Sequence, residues 1–418
     1  MALAAGLVAT WSATIPAGEP AYAASPTGGV PHEMFAPDGT ISRVDVASGA
    51  QPAARSAARA SAASVTVTPV EVHGPSENRL DIVFVGDGYT QPELGTYAAQ
   101  VSRTWELLAD REPFRSYRTL FNVWRVDLVS PVSGVSGDPT ADVSRDTPLA
   151  ASYWCDGLQR LLCADIEQVK HYAGFAPDAD QVAVLANSEM YGGAGYTDEE
   201  VVTFAGGHPL AAEILPHELG HSIGDLADEY DYYAFPNDGS RYRGPDPVEA
   251  NITKKNADQI LHPGKKWWYW LGADTPDGGV IDAYEGGLYT QFGIYRPSEN
   301  SLMKALRREF NAVSREKMIQ SFYATVRPID AAVPSGSAVA RGGTLTIEVL
   351  AVPLQVRWFV DGREVPAWRG RTSVNLADGP PAASSVSVEV SDQTSWVRSA
   401  EYRAQFLTQQ RSWRVNGG

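Results

Sequence analysis

The 418 residues carry 50 acidic and 34 basic side chains, which gives a formal net charge of -16 at pH 7. Such a charge would repel phosphate backbones and anionic lipid surfaces, so nucleic acid is not expected as a partner. A hydrophobic fraction of 44% and a charged fraction of 20% are typical of a folded globular protein and exclude wholesale disorder. The length predicts more than one domain.

The N-terminal sequence predicts export. Residues 1–23 contain a short apolar stretch and end in Ala-Tyr-Ala, which resembles a signal-peptidase site after Ala23. No Lys or Arg precedes the apolar stretch, so a disordered Ala-rich tail is the alternative interpretation. Elsewhere no apolar run reaches the roughly 18 residues that cross a bilayer. We therefore expect a secreted protein without a membrane span.

The next segment, residues 24–64, is rich in Ala, Ser, Gly and Pro and has little hydrophobic periodicity. This composition predicts a linker or propeptide-like segment. Order is expected from about Val65, because SVTVTPVEV and RLDIVFVGDGYT have the patterns of strands. Thr90, followed by Pro92 and Glu93, predicts a helix N-cap with a capping box.

An alternation of strands and helices continues along the chain. Residues 121–129 and 180–187 are predicted strands, and residues 164–173 a predicted helix, which indicates an α/β or α+β layer. The two cysteines, Cys155 and Cys163, are separated by eight positions, a spacing that allows a local disulfide in an exported protein.

From about Val326 the sequence pattern changes to short runs in which apolar and polar residues alternate. TLTIEVLAV, QVRWFVDGREV, SSVSVEVSD and AEYRAQFL read as strands, with a hairpin turn at Asp361-Gly362. Residues 327–418 are therefore predicted to form a small all-β sandwich domain. Such a domain could bind a protein or glycan ligand, or only support the region before it.

The stretch LPHELGHSIGDLADEY, residues 215–230, contains the strongest chemical signal. On a helix, His217 and His221 stand about 6 Å apart on one face, so both imidazoles can bind one metal ion. A catalytic zinc takes three protein ligands and leaves a fourth position to water. Glu218 can accept the proton of that water as general base.

The third ligand must come from beyond the histidines. In a continuous helix Asp228 would lie about 10 Å past His221, too far to bind the same ion. Gly224 is expected to end the helix in a left-handed conformation and let the chain turn back. Asp228 is then the favoured ligand and Glu229 the alternative, while Asp225 is expected either to orient a histidine or simply to be exposed. More distant candidates are Glu249, His208 and His262.

These residues resemble the IgA-peptidase family of zinc metallopeptidases, whose pattern HExGHxxxxLxDEY is matched by HELGHSIGDLADEY. Blocks such as DIVFVGDGYT, VLANSEMYGGAGY and NSLMKAL extend the resemblance over about residues 78–325. The resemblance implies a metzincin-like α+β peptidase domain over residues 65–326, with Met303 in a methionine turn. It also makes Tyr295 and Tyr230 candidates for contacting the substrate oxyanion, and YGGAG a segment whose edge could bind an extended peptide.

Together these observations predict a secreted zinc endopeptidase that hydrolyses protein or peptide substrates. The substrate cannot be transferred from the family name. Two rival functions are an adhesin or other binding protein with weak catalysis, and a zinc hydrolase of peptidoglycan amide bonds. The intact Glu218 argues against the first.

Overall fold

The computed structural model describes residues 30–46, 64–231 and 241–416. It begins with an antiparallel hairpin of strands β1 (Val30–Phe35) and β2 (Ile41–Val46). Phe35 and Ile41, on either side of the turn, are buried in the main core. Within the predicted linker or propeptide-like segment, residues 30–46 therefore form a hairpin that apolar side chains beside its turn anchor to the core. Residues 1–29, with the predicted signal peptide, lie outside the described residues.

The next region forms a six-stranded sheet with two helices. Its elements are β3 (Val65–Glu71), β4 (Leu80–Asp87), α1 (Leu94–Ala109), β5 (Phe121–Leu128), α2 (Ile166–Ala173), β6 (Gln181–Ala186), β7 (Gly193–Tyr196) and β8 (Val201–Ala205). The strand order is β3-β5-β4-β6-β8-β7. The four inner strands are parallel, and β3 and β7 pair antiparallel at the edges.

Both faces of this sheet are covered. On β4, Ile82 and Phe84 belong to the core that includes α1, whereas Val83 and Val85 belong to the cluster that includes α2. This alternation follows from the two-residue period of a strand. The capping box predicted at Thr90 is confirmed just before α1. The result is a mixed α/β layer, as expected for a peptidase domain.

The chain then forms the elements around the candidate site: α3 (Ile214–Ser222), α4 (Ala257–Ile260), β9 (Tyr284–Gly287), β10 (Thr290–Arg296) and α5 (Ala312–Thr325). Helix α3 packs against β7 and β8, at one edge of the sheet. Cys155 and Cys163 form a disulfide in the segment before α2.

The C-terminal part has two further sheets. Its elements are β11 (Ile329–Ala332), β12 (Ala338–Ala340), β13 (Thr344–Val349), β14 (Leu354–Val360), β15 (Arg363–Glu364), β16 (Ser373–Asn375), β17 (Ser385–Asp392), α6 (Ala400–Gln405) and β18 (Thr408–Asn416). The sheets have the orders β11-β13-β16 and β12-β18-β17-β14-β15 and share an apolar cluster that contains Trp358 and Trp413.

One of the strands predicted in this part is a helix. The first six residues of AEYRAQFL form α6, which is capped by the Ser399 hydroxyl accepting from the Tyr402 amide at 3.3 Å. Tyr402 and Phe406 are four residues apart and stack with ring centroids 4.4 Å apart. The apolar residues of AEYRAQFL alternate with polar ones, which fits a strand, but residues four apart in such a run also share one face of a helix. The pattern is therefore compatible with a strand and with a helix, and the N-cap at Ser399 favours the helix.

The C-terminal part is joined to the preceding part of the chain through a buried carboxylate. Asp392 accepts hydrogen bonds from the hydroxyls of Tyr117, at 2.7 Å, and Tyr323, at 2.8 Å. Among the described residues, no helix combines the length and the apolar character that a membrane span requires.

Candidate metal centre

Helix α3 holds both histidines of the HELGH sequence on one face. Leu215 and Leu219 enter the main core, and the histidines are about 200° from them around the helix. His217 and His221 are both buried, and their Nε2 atoms are 3.2 Å apart.

A backbone carbonyl fixes each imidazole. His217 Nδ1 donates to the Leu302 carbonyl at 3.0 Å, and His221 Nδ1 donates to the Leu226 carbonyl at 2.6 Å. Because a carbonyl oxygen only accepts, both Nδ1 atoms carry the hydrogen, and in the neutral rings both Nε2 atoms carry lone pairs. Two lone pairs that face each other this closely favour a cation at the same point.

Asp228 brings a carboxylate to this point. Its Oδ1 atom is 3.5 Å from His217 Nε2 and 3.3 Å from His221 Nε2. Its Oδ2 atom accepts a hydrogen bond from the Tyr289 hydroxyl at 2.6 Å. Within the described residues the buried Oδ1 atom has no hydrogen-bond partner, so it is available as a metal ligand.

A second carboxylate, Glu33 of β1, reaches the same point from the N-terminal hairpin. Its Oε2 atom is 3.4 Å from His217 Nε2 and 3.9 Å from His221 Nε2. Its Oε1 atom accepts from the Tyr230 hydroxyl at 2.6 Å. Glu33 and Asp228 thus use the same arrangement, with one oxygen on a tyrosine and the other beside the imidazoles.

This donor set suits a metal ion. Ligand atoms of the four side chains all lie within 4.8 Å of one another: Glu33, His217, His221 and Asp228. Ligands about 2.0–2.1 Å from a tetrahedral zinc stand about 3.3 Å apart, close to most of the separations observed here. Two neutral imidazoles with carboxylate oxygens are also a donor set that zinc accepts.

The turn after α3 explains how Asp228 returns to the histidines. Asp225 has φ +44°, and the Leu226 amide donates to the Gly220 carbonyl at 3.1 Å. The prediction that Gly224 supplies the left-handed residue is wrong. Glycine is required at position 224 for space, because a Cβ there would lie 2.6 Å from the Gly220 carbonyl oxygen.

Two other acids of the motif lie outside the centre. Asp225 is 74% exposed and pairs with Lys317 at 2.7 Å, so of the two expectations for this residue exposure holds and orientation of a histidine does not. Glu229, the alternative ligand, is buried elsewhere and accepts from Asn251 Nδ2 at 2.9 Å and from the Ser301 hydroxyl at 2.6 Å. Its carboxylate therefore stabilises the segments around the centre and is not placed with the histidines.

Met303 lies beneath the motif helix. It is fully buried, and a Cβ at Gly220 would collide with its Sδ atom. The Met303 carbonyl accepts from the Glu229 amide at 2.7 Å. This residue thus forms an apolar floor under α3, which explains why glycine stands at position 220, between the two histidines.

Comparison with known families decides the assignment. The family model described as IgA peptidase M64 matches residues 68–278, a range that includes α3 and Asp228. The chain belongs to the IgA peptidase M64 family. It is therefore a metallopeptidase, whose substrates are proteins or peptides. No curated protein matches the chain.

In this M64 peptidase, the side chain of Glu218 on α3 points toward the edge strand of the sheet. Its side chain is buried, and a Cβ at Gly195 of β7 would collide with its Oε2 atom. Within the described part of the chain, its Oε1 atom is buried without a hydrogen-bond partner. The carboxylate is thus held against an edge strand and is free to bond a group that enters the centre.

The buried charges of the centre shift one another's pKa values. Burial raises the pKa of Glu218, and the nearby Glu33 carboxylate adds to this, to about 7. Burial alone would raise the pKa of Glu33, but the hydrogen bond to His217 and its charge outweigh this and lower it to about 2. Burial alone would lower the pKa of His221, but Asp228 raises it to about 10. The carboxylates thus create a field that favours positive charge between the imidazoles.

The tyrosines predicted for the centre differ in position. The Tyr230 hydroxyl points into it and donates to Glu33. Tyr295 lies on β10, where its backbone pairs with Thr253. Among the described residues, no hydrogen bond links the Tyr295 side chain to the four groups of the centre. The more distant ligand candidates are likewise not among the four side chains that meet at the centre: Glu249, His208 and His262.

Sequence reasoning missed Glu33 and Tyr289. A weak signal for the Glu33 hairpin exists, since Asp38-Gly39 is a turn dipeptide flanked by the apolar Phe35 and Ile41. Nothing in the sequence, however, connects Glu33 to a histidine 184 positions later. Tyr289 lies in YEGGLYTQFGIYRPSENSLMKAL, a block that resembles the family, but nothing in that block assigns a role to its hydroxyl, and the folded chain brings the hydroxyl to Asp228.

Proposed function

We propose that this M64 peptidase is a secreted zinc endopeptidase, with His217, His221 and Asp228 as zinc ligands and Glu218 as general base. The single observation that carries the proposal is the convergence at one buried point of the Asp228 Oδ1 atom and two Nε2 atoms, whose rings both hold a backbone carbonyl through Nδ1. Three protein ligands of this kind are typical of catalytic zinc, which keeps a further position for water.

Zinc, when bound, would supply a water nucleophile at neutral pH and polarise the substrate carbonyl. Glu218 accepts the proton of the attacking water and then donates it to the nitrogen of the leaving amine as the C–N bond breaks. The Tyr230 hydroxyl, which points into the centre, is the group we assign to the developing oxyanion. The role predicted for Tyr295 stays a prediction, since its side chain is not hydrogen-bonded to the centre in the described residues.

The substrate would bind as an extended peptide along β7. This strand is at the edge of the six-stranded sheet, and its Gly195 lies directly against Glu218. An edge strand can add one more strand through backbone hydrogen bonds. Recognition of backbone in this way is suited to cleavage within a protein chain, which is why we propose an endopeptidase.

Cleavage of casein, followed by mass spectrometry of the products, tests the proposal. We expect chelator-sensitive cleavage that Glu218→Gln lowers by about 10²–10⁴-fold, the range of general acid–base catalysis, while zinc content is unchanged. The matched control is Glu348→Gln, which removes an exposed carboxylate of β13. Because Glu33 stands in the centre, the comparison is also made in the Glu33→Ala background.

Two outcomes would contradict the proposal. Unchanged cleavage by Glu218→Gln would remove the general base from the mechanism. Stoichiometric zinc without cleavage in any background would favour a binding protein. Secretion is tested separately, by N-terminal sequencing of the protein from the culture medium of its host, which should begin at Ala24.

A further inference from the structure

The hairpin β1–β2 places Glu33 where a catalytic zinc site is normally open. His217, His221 and Asp228 supply three ligands, and the Glu33 Oε2 atom is 3.4 Å from the nearer Nε2 atom. A zinc site with four protein ligands is closed, whereas a catalytic site leaves one position for water. The Tyr230 hydroxyl, which we assign to the substrate oxyanion, is also engaged by Glu33.

The hairpin is attached on both sides of the centre. On one side the Leu306 amide donates to the Gly39 carbonyl at 2.9 Å, shortly after the Met303 segment. On the other side the Tyr191 hydroxyl donates to the Ala36 carbonyl at 3.2 Å, shortly before β7. The hairpin therefore bridges the two segments between which a substrate would have to enter.

Strand β1 also occupies the region beside the sheet edge. It lies against β7, the strand along which an extended substrate is proposed to bind. Phe35, next to the end of the strand, is 1% exposed, and its ring meets the His217 ring edge-on with centroids 5.8 Å apart. The hairpin thus covers the backbone edge and an apolar site beside the histidines at once.

The hairpin is nevertheless separate from the catalytic sheet. Its strands form a two-stranded sheet of their own, and it precedes residues 68–278, the range that the family model matches. Removing it would break no strand pair of the six-stranded sheet. A segment that blocks the centre but contributes no strand to the catalytic sheet has the properties of an inhibitor.

We propose that the hairpin of residues 30–46 is an autoinhibitory segment, and that Glu33 takes the place of water and substrate until the hairpin leaves. This inference rests on the proposed peptidase function for its consequence, but its structural part can be tested without cleavage. Full-chain protein loaded with Co²⁺ is titrated with acetohydroxamate, a small bidentate metal ligand, and the visible absorption of the cobalt reports access to the metal.

We expect Glu33→Ala to bind acetohydroxamate at least about 10-fold more tightly than the unchanged chain, because a centre that is open only about 1% of the time loses about 100-fold in apparent affinity. Its Co²⁺ stoichiometry should be unchanged. Glu348→Ala is the matched control and should behave like the unchanged chain. Glu33→Gln keeps the side-chain shape and serves as the second variant, with a change in the same direction.

Equal acetohydroxamate affinity in the unchanged chain and both Glu33 variants would overturn the proposal. So would loss of Co²⁺ from both variants, since Glu33 would then be a permanent ligand. Casein cleavage is measured on the same samples. If acetohydroxamate access increases but no cleavage follows, the inhibitory contact stands and the proposed peptidase function fails.

Discussion

Two carboxylates approach the imidazole pair in nearly the same way, yet they belong to different parts of the molecule. The Asp228 Oδ1 atom is 3.3 and 3.5 Å from the two Nε2 atoms, and the Glu33 Oε2 atom is 3.4 and 3.9 Å from them. Each has its other oxygen on a tyrosine hydroxyl at 2.6 Å. The distances to the imidazoles therefore do not distinguish a permanent ligand from an inhibitor. The way in which the backbone of each residue is attached to the rest of the protein has to distinguish them.

The backbone of Asp228 is fixed within the peptidase part. The Asp228 carbonyl accepts from the Leu288 amide at 3.1 Å, and the preceding Ala227 amide donates to Asn251 Oδ1 at 2.9 Å. Glu33 instead lies on a strand that, among the described strands, pairs with β2 alone, in a separate sheet. Its side chain is 20% exposed, against 4% for Asp228. We infer that Asp228 stays in place when Glu33 leaves.

Replacing Asp228 should give the largest effect. We expect Asp228→Ala to weaken zinc binding by more than about 100-fold, beyond the loss typical of residues that only orient a ligand, and to abolish casein cleavage. Competition with a chromophoric chelator measures the affinity. Glu33→Ala is the comparison and should retain zinc. The reverse result, zinc kept without Asp228 and lost without Glu33, would invert the two roles.

Replacing the tyrosines that hold the two carboxylates should affect zinc binding less than replacing Asp228, and again only the partner of Asp228 should matter for zinc affinity. Tyr289→Phe removes the hydrogen bond that orients Asp228, so we expect zinc affinity to fall by about 10–100-fold. Tyr230→Phe removes a hydrogen bond to Glu33, so zinc affinity should hold while acetohydroxamate binds the cobalt protein more tightly. Equal losses of zinc in both variants would show that the two carboxylates are equivalent ligands.

Local sequence accounts for much of the centre. Helix periodicity predicts that His217 and His221 share a face, and Asp228 is close enough in sequence for a single turn to bring it back. The position of the turn was predicted only in part. Asp225 tolerates φ +44° because the short side chain of Asp or Asn is accepted in the left-handed region, and this left Gly224 to a packing role.

Contacts between distant segments account for what the sequence did not predict. Glu33 and Tyr289 reach the centre only through tertiary packing, and the hairpin sequence around Phe35 and Ile41 is too short for its periodicity to stand out from its surroundings. Residues 400–407 were predicted as a strand because their apolar residues satisfy both periods, and the helix is decided by the Ser399 cap. The same ambiguity affects any short amphipathic segment.

The smallest effect is expected at Asp225, the motif acid that faces solvent. Asn is also accepted in the left-handed region, so Asp225→Asn should keep the turn that delivers Asp228. Its exposed pair with Lys317 contributes about 0–1 kcal/mol, which thermal unfolding can measure, and zinc affinity should not change. A loss of zinc as large as that from Tyr289→Phe would mean that the charge at position 225 acts on the centre across the turn. The explanation for the different roles of Asp228 and Glu33 would then have to include the electrostatic field of the charged motif residues as well as the attachment of each backbone.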